Sequence, residues 1–387
     1  MARDPRHLLA DFPRLFTLLC FFLILHPLPA AGGDSRPGAR DLGIRIGTLP
    51  TGSYNAITDV AGVQVGHVTL NSGMGKLVVG KGPVRTGVTA VLPHADDIYQ
   101  NMVFAAAEVL NGNGEMTGVE WVNERGLLEV PVILTNTLSV GTAYNGVISY
   151  MLNQDPRRVP LPVVAECYDG GLNDIAGRHV REAHVLQALE SARSGPVTEG
   201  SVGAGTGMRA YGFKAGVGTS SRVVEGHTVG VLVNANCGRR SELIVDGVPA
   251  GRALGSETLK RSRDGSIIIL IATDAPLIPI QLRRLCKRAP LGLTRTGTVS
   301  RTSSGDLILA FSTAQRIPRD KAVQDTVLTI RDSQLTPLFQ AVVEATEEAI
   351  LNAMFRAKTM VGRDGNTIVG LPIDQLVDIL RAHGRLK

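Results

Sequence analysis

Short β-branched apolar runs alternate with glycine turns along most of the chain, at residues 63–70, 87–92, 131–135, 160–165 and 228–234. Such runs, bounded by glycine or proline, read as strands. Between them, apolar positions are spaced for helices over 97–110, 139–153 and 180–192, the last with Leu186, Leu189 and Ala192 at helical intervals. The second half opens on an almost wholly apolar strand, 266–272, and passes Asp274-Ala275-Pro276-Leu277 into a basic amphipathic segment over 279–288. A further strand over 306–311 follows the turn Thr302-Ser303-Ser304-Gly305, and helices over 338–360 and 372–383 close the chain. The pattern predicts α and β elements mixed throughout. Residues 241–265 read as an exposed connection, because Arg252, Lys260, Arg261, Arg263 and Asp264 crowd a polar, glycine-dotted stretch just ahead of Ser266.

The first residues follow a different logic. Arg3, Arg6 and Arg14 precede the apolar run 15–25, and Pro27-Leu28-Pro29-Ala30-Ala31-Gly32 then supplies small residues. This is the layout of a secretory signal peptide over 1–31. The apolar run is about half of the roughly 20 residues that span a bilayer, so the expectation is a periplasmic or secreted protein with no stable membrane insertion once the signal is removed.

Composition narrows the remainder. A 387-residue chain that is 44% hydrophobic has ample material for a large core, and 44 glycines against 4% aromatics favour layered sheets over a helical bundle. The net charge is only +5, from 40 basic and 35 acidic residues without a long basic run, which speaks against nucleic acid as a partner. Of four cysteines, Cys20 leaves with the signal. Cys167, Cys237 and Cys286 are too sparse for a disulfide framework, although one bridge between an unspecified pair stays open. With no CxxC or HExxH and eight scattered histidines, the sequence offers no metal site and calls for no cofactor. Gly203-Ala204-Gly205-Thr206-Gly207, inside the glycine-dense stretch 195–222, lacks the flanking features of a dinucleotide fingerprint and the GKS or GKT of a P-loop. It reads as a structural loop packed under a site.

The chemistry is carried by Arg263-Asp264-Gly265-Ser266-Ile267-Ile268, a glycine-serine pair at the mouth of the apolar strand. A serine hydroxyl that attacks its own preceding carbonyl converts the amide to an ester, which water hydrolyses; glycine leaves that carbonyl unshielded. Ser266 would then begin a new chain with a hydroxyl and an α-amine on adjacent carbons. An α-amine with a reference pKa of about 8 accepts the hydroxyl proton near neutral pH.

Residues 32–387 resemble the DmpA family of self-processing aminopeptidases, which includes D-stereospecific and β-peptidyl aminopeptidases. The resemblance rests on Asn55-Ala56-Ile57-Thr58-Asp59-Val60-Ala61-Gly62-Val63, Gly87-Val88-Thr89-Ala90-Val91, Leu134-Thr135-Asn136-Thr137, Asp169-Gly170-Gly171-Leu172-Asn173-Asp174, Gly203 to Met208, and Gly265-Ser266 through Leu277. It implies an α/β fold, a four-layer αββα sandwich similar to N-terminal nucleophile hydrolases but differently connected. It also implies one folded domain that cleaves itself between Gly265 and Ser266 into an α-chain, 32–265, and a β-chain, 266–387, assembled as a homo-tetramer of αβ units.

By motif, Ser304 and Asp306 match the family's Ser-Gly-acid turn beside the nucleophile's amine. Tyr168 and Asn236 match the donors to the tetrahedral oxyanion, neutral groups suited to that task. Asn234 is the alternative to Asn236, the two read as alternating along one strand and facing opposite sides; Asn236 is preferred because it precedes the glycine of Asn236-Cys237-Gly238. Glu166 is the candidate for gripping the substrate's free ammonium, and two residues apart on a strand Glu166 and Tyr168 would point the same way. Cys167 and Cys237, their neighbours, should face away from the site as packing or as one disulfide. The expected activity is removal of an N-terminal residue from peptides, amides or esters through an acyl-enzyme on Ser266. Two other readings stay open: an acyltransferase of the ornithine acetyltransferase type, a family that uses threonine, and an exported solute-binding protein with two lobes and an intact chain.

Overall fold

The computed structural model describes residues 36–255, 265–319 and 326–386. The signal reading over 1–31 and the polar stretch 256–264 lie outside the described residues. Strands β1 (Gln64–Ser72), β2 (Val84–Leu92), β3 (Asn101–Gly112), β4 (Leu127–Leu128), β5 (Val132–Asn136) and β6 (Val163–Cys167) fill the first half. The short pair β7 (Arg209–Ala210) and β8 (Phe213–Lys214) precedes β9 (Val217–Val224), β10 (His227–Asn236), β11 (Ser266–Thr273) and β12 (Gly305–Pro318). The helices are α1 (Val119–Arg125), α2 (Val140–Gln154), α3 (Glu182–Glu190), α4 (Ala250–Ala253), α5 (Pro279–Cys286), α6 (Ala289–Arg295), α7 (Leu335–Phe355) and α8 (Ile373–Ala382).

Two large sheets result, one ordered β1-β2-β5-β6 and one ordered β4-β3-β12-β11-β10-β9, beside small two-stranded pairs such as β7-β8. Alternation along β11 shows how they stack. Ile268, Leu270 and Ala272 join Val88, Ala90, Leu134 and Val164 of the other sheet in one core, whereas Ile267, Ile269 and Ile271 join Leu282, Leu285, Val342, Ala345 and Ala349 of α5 and α7 in a second. Helices α2 and α3 cover the outer face of the four-stranded sheet. The layers therefore run helix, sheet, sheet, helix. A strand buried on both faces reads as a continuous apolar run, which is why β11 carries so little polar punctuation.

Three expectations are corrected. Residues 97–110 are not a helix: β3 occupies 101–112, with Val103 and Ala105 facing the other sheet and Ala106 facing the helices. The alanine run favours helix locally, but pairing with β4 and β12 on either side overrides that weak preference. The glycine-dense stretch runs into the eight-residue strand β9, which begins at Val217. Residues 241–255 are not an exposed connection, since Leu243, Val245, Val248, Ala250 and Leu254 are buried in the helix-side core.

Arg222, fully buried on β9, ties the N-terminal segment to α7. Its guanidinium meets Glu344 Oε2 at 3.1 Å and Glu348 Oε2 at 2.7 Å, and it donates to the Ile46 carbonyl at 2.7 Å. Asn55 of the first matching motif donates to Glu348 Oε1 at 2.6 Å and accepts from the Ser221 N–H. Arg222→Met would leave buried Glu344 without its cation and Glu348 with Arg40 alone. It is expected to cost about 3–5 kcal/mol, seen as a lowered urea midpoint.

Candidate active site

Strand register assembles the site. Asn236, the last residue of β10, pairs with Ser266, the first of β11, while Ile267 pairs with Asp306 at the start of the parallel strand β12. Ser266, Asn236 and Asp306 thus stand on three adjacent strand ends. Ser266 is buried, and its Oγ accepts a hydrogen bond from the Gly305 N–H at 3.1 Å. The Ser304 hydroxyl lies against both the Gly265 carbonyl oxygen and Asp306 Oδ1, the latter at 2.6 Å.

That hydroxyl has one proton and faces two acceptors. It can serve both only if the Asp306 carboxyl carries a proton of its own, donating to Ser304 Oγ while Ser304 donates to the Gly265 carbonyl. Burial pushes the Asp306 carboxyl up, against the opposing pull of hydrogen bonds from Ser304 and Asn111. Gly265 is fixed by packing, because a β-carbon there would lie 1.5 Å from the Asn236 carbonyl oxygen.

Glu166, near the end of β6, is buried, with Oε1 accepting from the Glu115 N–H at 3.2 Å and Oε2 from the Thr137 hydroxyl. Burial raises its carboxyl, and the Thr137 and Glu115 hydrogen bonds oppose that rise. Only a glycine separates it from Gly305, whose N–H meets Ser266: a β-carbon on Gly114 would sit 3.1 Å from Gly305 Cα and 3.3 Å from Glu166 Oε1.

Tyr168 departs from the expected geometry. Strand β6 ends at Cys167, so Glu166 and Tyr168 do not share a strand; Glu166 is 4% exposed and Tyr168 40%. The Tyr168 hydroxyl packs over Gly170, where a β-carbon would come within 2.4 Å of it. Its backbone reaches the cluster through the carbonyl that accepts from Asn236 Nδ2 at 3.1 Å. Asn236 Oδ1 accepts from the Arg209 N–H at 3.1 Å. Asn234, two positions back on β10, shares a strand face with Asn236 and does not oppose it as expected; it is fully buried, and among the described residues neither of its amide atoms has a hydrogen-bond partner.

The loop after β3 escaped the sequence reading. Asn111 Nδ2 donates to the Ser300 carbonyl at 2.8 Å and to Asp306 Oδ2 at 3.2 Å, and Asn113 Nδ2 donates to the Ser303 carbonyl at 2.7 Å. A register shift between Asp306 and Leu307 opposite β3 is the bulge that aims Asn111 at the carboxylate. Asn111-Gly112-Asn113-Gly114 is a turn signature that the helix assignment over 97–110 obscured.

Cys167, Cys237 and Cys286 are free and buried, and burial raises all three thiols. No bridge joins them. Cys237 packs on the helix side, but Cys167 turns between the sheets, where its thiol meets the Asn234 carbonyl at 3.6 Å. The glycine loop proves to be packing: a β-carbon on Gly205 would lie 2.3 Å from the Val217 nitrogen, and one on Gly207 2.4 Å from the Arg85 carbonyl oxygen. Among the described residues no group of three His, Cys, Asp or Glu side chains is arranged to hold a metal ion.

Ser266 is thus the first residue of a central strand, at the end of one of two stacked sheets. The profile described as Peptidase family S58 matches residues 55–368. The chain belongs to peptidase family S58. It is 46% identical over 382 residues to the β-peptidyl aminopeptidase BapA of Sphingosinicella microcystinivorans, covering 93% of this chain and 96% of that protein. Identity to BapA of Sphingosinicella xenopeptidilytica is 44%, over 92% and 94% of the two chains. Among solved structures, a Burkholderia sp. β-aminopeptidase superposes with a TM-score of 0.84 at 45% identity, over 90% of this chain and 99% of that one. The L-aminopeptidase D-Ala-esterase/amidase of Ochrobactrum anthropi, described as a prototype for the serine aminopeptidases with a variant of the Ntn hydrolase fold, gives 0.84 at 42% identity, over 91% and 100%. The fold is this αββα variant, and the S58 chain is a hydrolase of the serine aminopeptidase type.

Proposed function

We propose that the chain cleaves itself between Gly265 and Ser266 and then removes N-terminal residues from peptides, amides or esters through an acyl-enzyme on Ser266. The observation that carries this reading is the Ser304 hydroxyl seated between the Gly265 carbonyl oxygen and Asp306. In the precursor, Ser266 Oγ adds to the Gly265 carbonyl carbon, whose oxygen draws the Ser304 hydrogen bond. Collapse breaks the C–N bond, the nitrogen takes a proton to become the Ser266 amine, and water hydrolyses the remaining ester. In the mature enzyme that amine takes the Oγ proton as the hydroxyl attacks a substrate carbonyl. Asn236, with a second N–H beyond the one given to Tyr168, and Tyr168 serve the oxyanion. The proton passes to the departing amine, and water then frees the acyl group.

Glu166 receives the substrate's ammonium, one glycine away from Gly305. Glu166→Gln is expected to raise KM for free-amine substrates by about tenfold or more while self-cleavage proceeds, read by steady-state kinetics and a denaturing gel. The two pH dependences have opposite signs. Processing uses neutral Asp306, whose carboxyl is raised, so its rate falls as pH rises through that group. Turnover uses a neutral amine and rises with pH up to about 8. Time courses of cleavage across pH check the first, and the falling limb should vanish in Asp306→Asn, whose amide still donates to Ser304.

Two relatives named as β-peptidyl aminopeptidases support a β-amino acid as the first N-terminal residue to test. The experiment is a panel of L-α-, D-α- and β-aminoacyl amides with their N-acetylated counterparts. Hydrolysis confined to free amines supports the reading, and equal rates on acetylated amides contradict it. Serine at the nucleophile position argues against the threonine-dependent acyltransferase. Export to the periplasm or medium and assembly of αβ units into a tetramer belong to the same proposal; among the described residues no helix is long and apolar enough to cross a membrane.

A further inference from the structure

Lys214 is a fully buried lysine whose amine the chemistry above leaves unused, and three carbonyl acceptors match the three N–H groups of its protonated form. It closes β8, inside the glycine-dense stretch, and its Nζ donates to three backbone carbonyls: Ala215 at 2.6 Å, Met208 at 2.8 Å and Gly205 at 3.3 Å. Among the described residues it makes no ion pair with a carboxylate, and burial lowers its pKa to about 7. A cation in such a place is costly. Three carbonyl dipoles hold it, and one of them leads to the active site.

The Met208 carbonyl belongs to the same peptide group as the Arg209 N–H. That N–H donates to Asn236 Oδ1 at 3.1 Å, and Asn236 faces Ser266 across the β10–β11 pair. An ammonium at the carbonyl end of a conjugated amide draws electron density toward oxygen and leaves the N–H a stronger donor. The stronger bond to Oδ1 polarises the Asn236 amide in turn, which strengthens its own N–H groups. Orientation is fixed as well: a donor on one side, Arg209 N–H, and an acceptor on the other, the Tyr168 carbonyl, admit a single placement of Oδ1 and Nδ2. The loop cannot slide away, because Gly207 packs against the Arg85 carbonyl with no room for a β-carbon.

We propose that Lys214 is a positioning residue for the oxyanion site: its ammonium holds and polarises the Met208–Arg209 peptide, which locks Asn236 and strengthens it as a donor beside Ser266. This rests on the reading of Asn236 given above. The test is a double-mutant cycle of Lys214→Met and Asn236→Ala in the full chain, with kcat normalised to the fraction of chains that carry a free Ser266 amine. Removing one oxyanion donor lowers kcat about 100- to 1,000-fold, and Asn236→Ala is expected in that range. Lys214→Met should lower kcat about tenfold with little change in KM, and should add nothing once Asn236 is alanine. An undiminished kcat in Asn236→Ala overturns the Asn236 reading itself. A Lys214 effect of equal size in both backgrounds overturns the proposal and leaves that reading standing. If the methionine variant does not fold, Lys214→Gln, which drops the charge and keeps a donor, takes its place in the cycle. Failure of both to fold assigns Lys214 to the framework alone and overturns the proposal.

Discussion

The Ser266→Ala chain is expected to run as one unbroken polypeptide and to hydrolyse no aminoacyl amide. Both losses follow from one atom. Without Oγ nothing attacks the Gly265 carbonyl, so the C–N bond survives and the α-amine that would serve as base is never released. The substitution itself is mild, since it removes a single oxygen that accepts one hydrogen bond from the Gly305 N–H. Stability should therefore change by no more than about 1–3 kcal/mol, and the folded, inactive precursor can be isolated. A denaturing gel and an amide hydrolysis assay on the same preparation give the answer, and two fragments from this variant would remove Ser266 from the scission.

Gly265→Val should block processing almost as completely, for a steric reason. A β-carbon at this position would overlap the Asn236 carbonyl oxygen at 1.5 Å, so either the β10–β11 pairing or the carbonyl to be cleaved must move. Each movement pulls the Gly265 carbonyl from the Ser304 hydroxyl. Misplacement of about 1 Å costs about 100-fold in rate, and a branched side chain demands more than that. The variant should accumulate as precursor over the hours in which the native chain is fully cut, and cleavage at the native rate would show that Gly265 geometry is irrelevant. The contrast with Glu166→Gln is informative, because that chain should process normally and fail only on substrate.

Most of the site was legible because it sits on strand ends that the sequence marks clearly. The apolar run after Ser266 and the Ser-Gly-Asp turn adjoin a glycine, Asn236 lies two positions before one, and parallel pairing of β11 with β12 brings the first two together. The supporting groups were not legible. Asn111 and Asn113 follow an alanine-rich segment whose local preference is helical, and only the pairing of β3 with β12 turns them toward Asp306. Thr137 and Glu115, which hold Glu166, come from separate loops that no spacing rule connects. Tyr168 shows the limit of a two-residue alternation rule: it holds while the strand lasts, and β6 ends one residue earlier. Lys214 lay in plain sight within the glycine stretch, but its place beneath Asn236 depends on how that loop folds back.

The central claim is a scission that turns an interior serine into a chain start with its own base. Intact-mass analysis with N-terminal sequencing of catalytically active protein tests it most directly. Two polypeptides are predicted, the smaller beginning Ser-Ile-Ile-Ile. A single uncut chain in fully active material would contradict the account.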